Sequence, residues 1–185
     1  MPIIKEQDEL VAIAKAKSKD VVLLCVMGSV VYGVAGPESD VDYLLVSDSA
    51  SDALILKEEV DIVVKNTTTF IEGVRAGSVF FIEGLFSPPE FSLVRRITTP
   101  PINKTAVAVS ALERAQSDFK KGMATENPKR VFHALRVLDY GHQIVSQGKI
   151  VSFLSVADLY EDIMTSPDLS EFSALYEEYC ERLKA

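Results

Sequence analysis

The stretch Val21–Val46, VVLLCVMGSVVYGVAGPESDVDYLLV, limits what this chain can fold into more than any other. An apolar run from Val21 to Met27 breaks at Gly28-Ser29, crosses a polar loop holding Gly33, Gly36 and Pro37, and resumes an apolar alternation at Val41. β-branched and aliphatic residues on either side of a small-residue break read as strand, loop, strand. Side chains on a strand alternate between its faces, so Asp40 and Asp42 project to one side and Val41, Tyr43 and Leu45 to the other.

Two carboxylates on one face, about 7 Å apart at the ordinary strand rise, repel each other and raise each other's pKa unless a cation or basic group answers them. They can lean together onto a pair of divalent ions, an arrangement that suits in-line phosphoryl or nucleotidyl displacement. Hard oxygen donors favour Mg²⁺ or Mn²⁺. Gly28 offers a backbone that a phosphate can approach closely, and the N–H and hydroxyl of Ser29 can donate to it.

Met27-Gly28-Ser29, ten residues, then Asp40-Val41-Asp42 resembles the signature of the DNA polymerase β-like nucleotidyltransferase superfamily. The longer string GSVVYGVAGPESDVDY is closer still to a group of bacterial and phage nucleotidyltransferases carrying GS-x-x-YG and SD-x-D. Glu83-Gly84-Leu85-Phe86-Ser87-Pro88 resembles that group's leucine-phenylalanine-serine-proline segment, and His133-Ala134-Leu135-Arg136 its helical His-x-x-Arg. The resemblance spans roughly residues 20–150.

The resemblance implies an α/β (α+β) fold, a mixed sheet flanked by helices, and a helical bundle towards the C-terminus. It implies a third acid on the next strand, for which Asp61 in VDIVV is the candidate, with Asp48, Glu58 and Glu59 as rivals. An acid on a core strand is costly without a ligand or partner. Asp40, Asp42 and Asp61 are thus the expected catalytic and metal-binding residues, and Gly28 and Ser29 the expected phosphate contacts. Tyr32 is a candidate for stacking on a base or sugar, against the plainer reading of a core aromatic. Ser39 is better placed to orient the loop before Asp40 than to act as a nucleophile, since no His or Lys stands beside it as a base. His133 and Arg136, three residues apart on one helical face, are candidates for contact with phosphate or substrate.

The implied reaction moves NMP from an NTP, ATP among them, to an acceptor hydroxyl. A catalytically silent nucleotide-binding or regulatory module is the alternative, and a phosphohydrolase using the same acids a third reading. A formal net charge of −8 opposes broad affinity for nucleic acid, so a small-molecule or protein acceptor fits better than an RNA end. At 185 residues the chain is one domain or two small ones. The breakers Ser87-Pro88-Pro89 and Thr99-Pro100-Pro101 suggest a core over residues 1–100 and a helical subdomain over 101–185. Cys25 and Cys180 form no metal-ligand spacing. No signal peptide and no apolar run of membrane-spanning length is visible, and a reducing cytoplasmic setting is expected.

Along the chain, KEQDELVAIAKAK (Lys5–Lys17) reads as an amphipathic helix that packs on the sheet. Strand patterns fall at Val21–Met27 and Val41–Val46, with further strand material at Leu54–Lys57 and Glu59–Val64, and three strands are expected. Ser29–Val34 can form a short helix, Phe70–Ala76 a helix capped from Asn66–Thr69, and Gly77–Leu85 another. Phe91–Ile97 fits strand or helix equally. Helices follow at Lys104–Met123, Pro128–Gln147, Ser155–Met164 and Ser170–Leu183.

Overall fold

The computed structural model describes residues 20–57 and 60–184. The expected helix at Lys5–Lys17 and the rival acids Glu58 and Glu59 lie outside the described residues. Among the described residues five strands are present rather than three: β1 (Val21–Met27), β2 (Val41–Ser47), β3 (Ala53–Lys57), β4 (Val60–Asn66) and β5 (Ser92–Arg95). The extra strands escape a count by alternation. β3 and β4 are separate antiparallel strands where the sequence reads as one stretch of strand material, and β5 has only four residues.

The strands form one mixed sheet in the order β3-β4-β2-β1-β5. β2 and β4 run parallel, and every other neighbouring pair is antiparallel. Leu23, Leu24, Cys25 and Val26 are all buried. Successive residues point to opposite faces, so the interior strand β1 is covered on both sides and reads as a continuous apolar run.

The helices are α1 (Thr67–Arg75), α2 (Val79–Phe86), α3 (Lys104–Ala124), α4 (Pro128–Gln147), α5 (Ala157–Thr165) and α6 (Ser173–Lys184). In place of a helix at Ser29–Val34 there is a single 3₁₀ turn, Gly28–Val30, and further 3₁₀ turns, Pro89–Phe91 and Leu169–Phe172, precede β5 and α6. α4 is bounded as its sequence dictates. The Asn127 side chain accepts from the Arg130 N–H, Pro128 occupies the first turn, and Gly148 closes the helix in the left-handed region. Gly141 lets α3 come close, since a Cβ there would stand 2.8 Å from that of Ala111.

Contacts divide the chain into two compact units. One takes in the described residues within Met1–Val31, Ala35–Glu72 and Ser87–Thr99, and therefore the whole sheet. The other takes in Tyr32–Val34, Gly73–Phe86 and the described residues from Pro100 onward. In this second unit α4 is the central helix, packed on α3, α5 and α6, with Val131, Phe132, Leu135, Leu138 and Ile144 buried.

Candidate active site

The sheet register decides which acids meet. β1 and β2 are antiparallel with Met27 opposite Asp42, which brings the turn after β1 against that aspartate. β2 and β4 are parallel with Asp42 opposite Asp61. Residues in register on neighbouring strands share a face, so these two carboxylates stand side by side. Asp40, two positions back on the same face, is exposed.

Burial, then Asp61, then Asp40 push the Asp42 carboxyl above the usual carboxylate range. Among the described residues none of the three acids is in an ion pair. Among the described residues no cation pairs with Asp42 or Asp61, and hard oxygen donors left in this condition suit a divalent ion. Among the described residues no three His, Cys, Asp or Glu side chains are gathered tightly enough to form a metal centre as they stand.

Gly28 is required where it is. Its φ is +72°, and a Cβ there would lie 2.1 Å from Asp42 Oδ2. Any side chain would both strain the backbone and drive the carboxylate away. Ser29 follows in the 3₁₀ turn, closed by the Val31 N–H donating to the Gly28 carbonyl at 3.0 Å. Ser39 Oγ accepts from the Gly36 N–H at 2.9 Å, so its hydroxyl shapes the loop that leads to Asp40.

Tyr32, His133 and Arg136 belong to the other unit. Tyr32 is only 5% exposed. Its hydroxyl donates to Glu83 Oε2 at 2.6 Å, and its ring carries the Arg136 guanidinium at 4.1 Å and meets Tyr140 edge-on. A ring so enclosed does not stack on a base. Arg136 is buried as well, and its Nη1 donates to Glu83 Oε1. Its Nη1 is thus answered inside the protein, while its Nε is buried without a partner among the described residues.

His133 Nδ1 is buried without a partner among the described residues. Burial first, and then the nearby Arg136, lower its pKa from 6.5 to about 4, so the imidazole is neutral near pH 7. Glu83 is the residue that a reading by motif passes over, although an acid inside the apolar helix VFFIEGLF is a visible demand for a buried partner.

Residues 8–77 match the family model of the nucleotidyltransferase domain. Among solved structures, spectinomycin adenyltransferase AAD(9) from Enterococcus faecialis, determined with ATP and spectinomycin, is similar. It is 12% identical with a TM-score of 0.52, covering 98% of this chain and 99% of its own. A nucleotidyltransferase-like protein from Exiguobacterium sibiricum 255-15 also matches, at 12% identity and a TM-score of 0.37, over 97% of this chain and 74% of its own. A search of curated proteins returns no match.

Residues 8–77 thus carry the likeness to a nucleotidyltransferase domain, in a chain whose mixed sheet and helices are of the α+β class. Domain match and fold are similar to those of the DNA polymerase β-like nucleotidyltransferases. Among the described residues no helix is long and apolar enough to cross a membrane.

Proposed function

We propose that this protein transfers NMP from an NTP, with ATP the first candidate, to a hydroxyl of a small-molecule acceptor. The reading is supported above all by one observation: Asp42 stands in register beside Asp61, with Gly28 held against it by a contact that tolerates no side chain. In the reaction the acceptor oxygen forms a bond to the α-phosphorus as the bond to the β-phosphate oxygen breaks. Pyrophosphate leaves with that electron pair.

Asp61 takes the acceptor proton. Its carboxylate stands in register beside that of Asp42, where it can reach a hydroxyl brought to the same face of the sheet. Gly28 and the Ser29 N–H and hydroxyl hold the phosphates. Asp40, Asp42 and Asp61 would hold Mg²⁺ or Mn²⁺, which when bound supplies charge neutralisation to the phosphates. Residues after 101 are assigned to acceptor selection. The neighbour's spectinomycin makes a small polar alcohol the first acceptor class to try. A reducing, cytoplasmic setting suits two buried thiols.

The test is pyrophosphate release from each of the four NTPs with Mg²⁺ and a panel of small alcohols including spectinomycin, with Asp42→Asn as the control. Acceptor-dependent release by the wild type alone is expected. Binding of NTP with no release under any acceptor would make this a nucleotide-binding module instead.

A further inference from the structure

Within the helical unit a cavity of about 300 Å³ lies among α2, α3 and α4, with Glu83, Asp118, His133 and Arg136 in its wall. That volume is at the lower end of those that hold small organic ligands. The hydrogen bonds already made in the wall decide what it can take. Glu83 accepts from Tyr32 and from Arg136, one donor on each oxygen. Asp118 accepts from Arg114 Nε at 2.6 Å on Oδ2 and from Arg130 Nη1 at 3.0 Å on Oδ1. Neither carboxylate keeps a free oxygen for a cation.

The unused capacity is of the opposite kind. The Arg114 guanidinium is spent only through Nε, and its Nη groups have no partner among the described residues. The Ser78 and Ser110 hydroxyls line the cavity with no hydrogen bond of their own among the described residues. Ser78, Val79 and Phe80 bring the first turn of α2 to the wall, and the leading N–H groups of a helix favour negative charge. Arg136, 8% exposed, has its Nε unpartnered, as has His133 at Nδ1. The charges of the wall itself, Glu83 and Asp118 against Arg114 and Arg136, balance, and Arg130 beside Asp118 adds a positive charge from outside the wall. Phe80, 40% exposed, and Val137 supply apolar wall.

We infer that this cavity binds the anionic group, phosphate or carboxylate, of a small organic molecule whose apolar part lies against Phe80. None of Asp40, Asp42 and Asp61 lines it, so the inference stands apart from the nucleotidyl-transfer reading.

The experiment is calorimetric titration of the whole protein, without NTP or Mg²⁺, with phenyl phosphate, benzoate and neutral benzyl alcohol. Saturable one-site binding of at least one anion is expected, and the stronger of the two identifies the group as phosphate or carboxylate. Arg114→Ala, which leaves Asp118 paired with Arg130, weakens it about tenfold or more, the loss of a charge-assisted hydrogen bond. Ser110→Phe, which fills the cavity, abolishes it, and Asp42→Asn leaves it unchanged. No saturable binding of either anion, equal binding of benzyl alcohol, or full affinity in a folded Arg114→Ala protein would each overturn the assignment.

Discussion

The two units treat buried charge in opposite ways. In the helical unit Glu83 is buried with both oxygens engaged, by Arg136 and Tyr32, and Asp118 is held between Arg114 and Arg130. In the sheet unit Asp42 is half-buried beside Asp61, with Asp40 adding to the repulsion and no ion pair among the described residues. Buried charge that is fully paired costs little to keep and much to break. Like charges set side by side weaken the fold, and a protein that keeps them does so at sites of function. The contrast separates scaffold from chemistry more sharply than burial does, because Asp42 and Asp61 are themselves half-buried.

The largest effect that probes this contrast is on activity. Asp42→Asn should lower the rate of pyrophosphate release about 10³-fold or more, as removal of preorganised electrostatic groups does, while circular dichroism and gel filtration stay those of the wild type. Arg136→Met should do the reverse, leaving Glu83 buried and uncompensated. A loss of about 3–5 kcal/mol in urea unfolding is expected, and Glu83→Gln combined with Arg136→Met should recover much of it.

Gly28→Ala comes next. Backbone strain at φ +72° costs about 1–2 kcal/mol, and the displaced Asp42 carboxylate should lower NTP affinity beyond that, which a titration will separate from the loss of stability.

Smaller effects depend on pH. His133 has a folded pKa of about 4 against an ordinary 6.5, so the unfolded chain binds the proton more readily. Its contribution to stability is present above about pH 6.5 and is lost as pH falls towards 4. His133→Gln should flatten that part of the melting-temperature profile. Asp42 has the opposite sign among acids. Its raised pKa means that its ionisation costs stability as pH rises through that value, so Asp42→Asn without metal should melt slightly higher than wild type at pH 7.

Much of the sheet site is legible in the sequence because it is local. The alternation through Asp40-Val41-Asp42 needs only the period of a strand, and Gly28-Ser29 needs only the break that follows an apolar run. The placing of Asp61 beside Asp42 is a different matter. It depends on a parallel pairing across 19 positions, which no local pattern encodes. Glu83 and Arg136 are 53 residues apart, and Arg136 reads by itself as a contact for a ligand while Glu83 passes as part of a motif. Only tertiary packing shows that they answer each other, and that Tyr32 is enclosed between them. β5 was equally hidden, since four residues are too few to show a period and its strand form comes from pairing with β1.

The central claim is that the aspartates of the sheet bind a nucleotide with its metal. The most direct measurement is calorimetric titration of each NTP with Mg²⁺ into the wild type and into an Asp40→Asn/Asp42→Asn double variant. Metal-dependent binding of at least one NTP by the wild type, absent from an equally folded double variant, is the expected result. Equal affinity in the two proteins, or no binding by a folded wild type with or without acceptor, would contradict it.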